Sequence, residues 1–209
     1  MIVTMIRLIL LLLFSSLLPP ILTVYPPPYD GSDFIRTSCY TTLYPDLCFS
    51  SLSSFANSIH NDSNRLARAA ISLTLSNTLH LVSYLQNLSS HGCVDHGCGG
   101  RPNHPTDAVI LKDCFENLKD AVHEMRGSMK QMKALVSTVS VQSFRFQMSH
   151  VKTWLSAALT YEYTCTDGFE YFHDDGSIKD DVCTRVNEVK KLTSNALALV
   201  NLYADKAIP

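Results

Sequence analysis

The chain has no basic cluster. Its 17 Lys+Arg stand against 19 Asp+Glu, a formal net charge of −2, and no run of cations could neutralise a row of phosphates. That balance argues against nucleic acid as a partner. Catalytic signatures are missing too. There is no G-x-S-x-G elbow, no H-E-x-x-H although Glu124 follows His123, and no glycine loop to cradle a phosphate. Strand-like alternation of apolar and polar residues is absent throughout. With 46% hydrophobic and 17% charged residues among 209, the chain is too apolar for wholesale disorder and long enough for one or two globular domains.

Apolar runs of membrane-spanning length are also lacking. Leu8 to Leu18, broken only by Ser15 and Ser16, would rise about 16 Å as a helix, roughly half the hydrocarbon thickness. Arg7 precedes it and Pro19-Pro20 follows, so residues 1–24 read as a signal peptide with cleavage somewhere between 18 and 28. An uncleaved anchor continuing through Ile21, Leu22 and Val24 would have to cross the two prolines without a basic flank. No membrane contact is expected after the leader is removed. Losing Arg7 leaves 16 cations against 19 acids, a mildly acidic protein in an oxidising compartment. The sequons at Asn61 and Asn87 fit that route as N-glycosylation sites.

Tyr25 to Ser32, with three consecutive prolines, is a stiff solvated spacer over 25–32. Residues 33–60 suggest brief helices in a compact extension. From 61 onward the chain becomes long, amphipathic and helical. Four segments carry one apolar stripe each: about Asn64 to Leu88 with Asp62 or Ser63 as cap, Asp107 to Val136 with Asp107 as cap, Ser143 to Phe169, and Lys179 to Tyr203. The first stripe runs Leu66, Ala70, Leu73, Asn77, Leu81 and is imperfect at Asn77; the second includes Met125, Met129 and Met132 as core filler. The third includes Trp154, Leu155, Ala158, Tyr161 and Cys165, and the fourth Val189, Leu192 and Ala196. Four such helices bury their stripes most simply as an up-and-down four-helix bundle, so the expected fold is all-α, with 61–209 as the bundle.

Seven cysteines need assignment. Cys39 and Cys48 flank a turn-forming Pro45, where a bridge could staple a helical hairpin. Cys114 and Cys165 lie on core stripes of neighbouring helices, as a bridge or as two buried thiols; closing 51 residues would be worth roughly 4 kcal/mol in the chain-entropy model. His91, Cys93, His96, Cys98 and His104 crowd one connection, but the Cys-x4-Cys spacing matches no common structural zinc pattern. Cys93 and Cys98 read as a small extra disulfide loop or two thiols. Glu170 to Asp181 has the acidic look of a calcium loop yet fails the register, because Gly176 as sixth position puts Tyr171 where the first aspartate is needed. No metal and no cofactor are expected.

Five segments, in order, carry a family likeness. Thr37-Ser38-Cys39-Tyr40-Thr41-Thr42-Leu43-Tyr44-Pro45-Asp46-Leu47-Cys48 resembles the opening motif of the plant invertase and pectin methylesterase inhibitor family. Asp113 to Val122, Trp154 to Thr160, Thr164 to Phe169 and Leu192 to Leu199 resemble its later motifs, and together they span about Asp33 to Ala204. The resemblance implies a hairpin stapled by Cys39–Cys48, a bundle stapled by Cys114–Cys165, and an unpaired thiol at Cys183. Cys93 and Cys98 depart from the family pattern.

It also implies an inhibitor without chemistry of its own, acting as a non-covalent 1:1 complex over the target's active-site cleft. In the esterase branch, bundle helices lie across a parallel β-helix enzyme. Acidic and threonine positions near the second disulfide face that enzyme, and they match Glu116, Asp120, Thr164 and Asp167 here. His123 stands where relatives often carry an acid. Interface carboxylates titrate, so affinity is expected to vary between about pH 4 and 7. The expectation is therefore a secreted, monomeric pectin methylesterase inhibitor of the apoplast and cell wall. Inhibition of acid invertase is the alternative, against which the missing Pro-Lys-Phe tripeptide counts. A non-inhibitory structural or signalling bundle is the further alternative.

Overall fold

The structure, a computed structural model, describes residues 31–91, 105–135, 140–173 and 177–206. The leader, most of the spacer, and Cys93 and Cys98 lie outside the described residues, as does Val136. Within them the elements are α1 Gly31–Cys39, α2 Pro45–Leu52, a 3₁₀ turn Ser53–Phe55, α3 Ala56–Ile59, α4 Ser63–His91, α5 Pro105–Ala134, α6 Val141–Gly168, a 3₁₀ turn Phe169–Tyr171, and α7 Ser177–Lys206. No strand occurs among the described residues. Each long helix packs on two others in a closed ring, α4 on α5, α5 on α6, α6 on α7 and α7 back on α4. That is the expected four-helix bundle, with the short helices gathered at one end.

The helix starts follow local chemistry. Asp62 caps α4, its Oδ1 accepting from the backbone N–H of Asn64 at 2.7 Å and of Arg65 at 3.1 Å. Ser140 caps α6, its hydroxyl oxygen accepting from the Ser143 N–H at 3.1 Å, so α6 begins two residues before the expected Ser143. Asp107 is not the cap expected for α5 but a residue of its first turn. Pro105 opens α5, where its missing N–H costs nothing, and Asp107 falls in the first turn, 2% exposed. There its Oδ1 accepts from the His173 backbone N–H at 3.0 Å and lies 3.2 Å from His173 Nδ1. The carboxylate thus ties the chain leaving α6 to the start of α5.

The hairpin extension shares a core with the bundle, Ile35, Cys48, Leu52 and Ile59 lying in one cluster with Leu66 and Leu199, and one polar side chain pins its turn. Asn195, on α7 and 3% exposed, accepts from the Tyr44 N–H at 3.1 Å and donates through Nδ2 to the Tyr44 carbonyl at 2.9 Å. Both backbone groups of the turn before α2 are satisfied by this amide. The hairpin arms are closed by the Cys39–Cys48 disulfide and by the Arg36 guanidinium, 3.7 Å over the Phe49 ring. His60 and Asn61 take left-handed φ values of 50° and 57°, which turn the chain from α3 into α4.

The core differs from the apolar stripes in a consistent way. Thr74 and Thr78 are buried while Asn77 is only half-buried, and each threonine hydroxyl donates to the carbonyl four residues back at 2.9 Å. The core line therefore passes one residue C-terminal of the expected Leu73 and Asn77, through groups that satisfy themselves. Ser128 is buried in place of Met129 and donates to the Val151 carbonyl across the α5/α6 contact at 3.2 Å. Thr193 is buried in place of Leu192, and Glu162 in place of Tyr161.

Candidate functional site

The second disulfide joins Cys114 of α5 to Cys165 of α6, with their Cα atoms 4.1 Å apart. It sits in the core cluster of the bundle's far end, with Leu111, Leu118, Phe169 and Val186. Glu116 and Asp120 on α5, and Thr164 and Asp167 on α6, are all exposed and all within two helical turns of the bridge. At 100° per residue, Glu116 and Asp120 fall about 40° apart on the solvent side of α5, about 160° and 120° round the helix from Cys114. Asp113 lies on the same side, exposed, and Glu124 half-buried, so the acidic stripe is longer than the two residues singled out. The i, i+3 and i+4 recurrence of acids was readable in the sequence.

The charges on this face are partly balanced. Lys119 Nζ bonds Glu116 Oε2 at 2.7 Å, an exposed pair worth little to stability, and lies 5.2 Å from the Phe115 ring centroid. Thr164 donates to the Thr160 carbonyl at 3.0 Å, leaving its oxygen to accept from a partner. Lys190, from α7, was not foreseen here. Its Nζ donates to Thr166 Oγ1 at 3.1 Å and lies 4.1 Å from the Tyr163 ring centroid. Partial burial lowers its pKa, against the opposing pull of Asp167, Cys183 and Glu162. One cation is thus held at the edge of an acidic face.

Behind Lys190 lies a carboxyl that the apolar stripes overlooked. Glu162 is fully buried, with its Oε1 2.7 Å from Thr193 Oγ1 and its Oε2 without a partner. Burial pushes its pKa up to about 8, against smaller opposing effects of the Thr193 hydrogen bond and the Lys190 charge. Thr193 Oγ1 also lies 3.1 Å from the Val189 carbonyl, and one hydroxyl proton cannot serve both oxygens. A protonated Glu162 resolves this: its O–H donates to Thr193, and Thr193 donates to Val189.

Cys183, half-buried on α7, is the free thiol among the described residues, and burial raises its pKa. Asn61 is exposed in the turn before α4, and Asn87 is exposed near the end of α4. No group of three or more potential metal ligands occurs among the described residues, and no described helix is long and apolar enough to cross a membrane. What the α5/α6 face offers is recognition: carboxylates, a hydroxyl acceptor and one anchored cation on a rigid, disulfide-braced seam.

Comparison with known proteins agrees with that picture. The family model described as plant invertase/pectin methylesterase inhibitor matches residues 33–199. A 21 kDa protein of Daucus carota is 38% identical over 195 residues, covering 93% of this chain and 95% of the relative. Pectinesterase inhibitor 10 of Arabidopsis thaliana is 40% identical over 172 residues, covering 82% of this chain and 51% of the relative. Among solved structures, the crystal structure of a mutant form of a pectin methylesterase inhibitor from Arabidopsis superposes with a TM-score of 0.59 at 19% identity, covering 80% of this chain and 95% of that one. At that identity the superposition speaks for the fold.

Proposed function

Because the chain belongs to the plant invertase/pectin methylesterase inhibitor family, we propose that it is an inhibitor of pectin methylesterase with no catalytic activity of its own. The observation that carries the choice of target is the set of curated relatives. Pectinesterase inhibitors 10, 9 and 11 of Arabidopsis thaliana are 40%, 35% and 35% identical to it. The inhibitor acts as a non-covalent 1:1 complex that covers the enzyme's active-site cleft, and the face of Glu116, Asp120, Thr164 and Asp167 is the part that docks. Three features support that placement: the four side chains are exposed, they flank a disulfide that holds α5 and α6 rigidly, and they present acceptors to a partner. A rigid scaffold lowers the entropy lost on binding.

The protein works as a monomer in the apoplast after loss of its leader, with Asn61 and Asn87 as glycan sites on its outer surface. An oxidising compartment agrees with two disulfides in the described residues.

The docking face is tested by Glu116→Gln with Asp120→Asn, assayed for inhibition across about pH 4 to 7. The expected result is a loss of about 10-fold or more in affinity, together with a flatter pH profile. An unchanged inhibition constant and an unchanged profile would remove these residues from the interface.

A further inference from the structure

The four positions near the second disulfide are too few to make the whole interface. A specific, stable complex buries about 800 Å² on each partner, some 20 to 30 residues. The docking surface must continue along the α5/α6 seam, and the seam has a second half of different chemistry.

Phe146, His150 and Trp154 stand one turn apart along α6. The Phe146 and His150 ring centroids are 4.5 Å apart, and those of His150 and Trp154 are 5.7 Å apart in an edge-to-face contact. Phe146 is 65% exposed, the most exposed aromatic of α6. The inner end of the row rests on α5, where a Cβ added to Gly127 would come within 3.2 Å of Trp154 Cε3. Only the absence of a side chain there lets the indole lie that close.

Helical phase joins this row to the acidic half. At 100° per residue, Phe146, His150, Trp154, Ala157 and Thr164 fall within an arc of about 80° on α6. On α5, Glu116, Asp120 and Gly127 fall within about 40°. Trp154 lies against Gly127, so that contact joins the two arcs on one outer surface of the α5/α6 pair. From Phe146 to Thr164 that seam is about 27 Å long. Charged and polar groups occupy one half and a row of aromatic rings in tilted and edge-to-face contact the other. Phe146 is exposed, with His150 and Trp154 half-buried behind it, and an aromatic so backed is the residue type that dominates binding energy when a partner covers it.

We propose that the Phe146–His150–Trp154 row is the second half of the surface that docks pectin methylesterase, with Phe146 inserting into an apolar recess of the enzyme. The inference rests on the esterase reading given above. It assigns the acidic half to orientation and charge matching, and the aromatic half to most of the desolvation energy.

The test is Phe146→Ala in the full secreted protein, with Phe146→Leu and the Glu116→Gln/Asp120→Asn pair alongside. All are assayed for inhibition of a pectin methylesterase and for thermal midpoint. Phe146→Ala is expected to weaken inhibition about 30-fold, the loss typical of a truncated hot-spot aromatic, while Phe146→Leu keeps most of the affinity. The melting temperature should stay unchanged, because the ring is mostly exposed. Phe146→Ala inhibition within about twofold of the unaltered protein, with the acidic pair impaired, would overturn the aromatic half and leave the esterase reading intact. An unaltered protein that fails to inhibit the esterase would overturn both.

Discussion

Replacing Glu162 by Gln should make the protein more stable at neutral pH and leave it nearly unchanged in acid. The carboxyl is fully buried, and its pKa rises from 4.5 to about 8 on folding. Between those values the unfolded chain has lost the proton while the folded one keeps it. The native state therefore binds more protons, and stability falls as pH rises through the window, by about 1.4 kcal/mol per pH unit. From pH 4.5 to 7 the loss is about 3 kcal/mol, and the full penalty above pH 8 is about 5 kcal/mol. Glutamine keeps the shape and removes the titration. For a chain of this size, about 3 kcal/mol at pH 7 corresponds to a rise of about 6–12 °C in melting temperature. The assay is a set of thermal melts of both proteins from pH 4.5 to 8. A variant whose advantage does not grow with pH would refute the burial argument.

Two further perturbations probe the frame that holds the docking face. Asn195→Ala removes the amide that pairs both backbone groups of Tyr44, leaving a part-buried N–H without a partner and a C=O with only the Cys48 N–H; it should cost about 1–3 kcal/mol in chemical denaturation, and an effect under about 0.5 kcal/mol would contradict the pinning role. Replacing Cys114 and Cys165 together by Ala opens the 51-residue loop; the melting temperature should fall by about 8–16 °C, from roughly 4 kcal/mol of lost chain restriction, and a fall of under about 3 °C would show that packing alone holds α5 to α6.

The long helices and both bridges of the described residues were legible because apolar recurrence at three and four residues and two cysteine pairs in familiar spacing point to the same bundle. What escaped has a common physical cause. Where a polar residue lies in the core, the apolar stripe steps onto its nearest apolar neighbour: Met129 for Ser128, Tyr161 for Glu162, Leu192 for Thr193. Thr74 and Thr78 hide in the core because each hydroxyl bonds its own helix. Glu162 reads as solvent-facing by residue type, yet it stands four residues after Ala158 and three before Cys165, on the line of the core. Strict phase would have found it. Asp107 was misassigned because a cap and a tertiary anchor look alike in sequence; only the position of His173 distinguishes them. The acidic face was legible as residues, whereas the aromatic half of the seam depends on how Gly127 admits Trp154, which no spacing reveals.

The proposed activity is inhibition of pectin methylesterase by stoichiometric capture. Its most direct measurement is a titration of the purified, leader-free protein into a fixed amount of a plant pectin methylesterase at about pH 5 to 6, with an acid invertase titrated in parallel. Esterase activity should fall to an equivalence point of one inhibitor per enzyme while invertase activity stays unchanged. Loss of invertase activity alone, or full esterase activity in the presence of excess protein, would contradict the account.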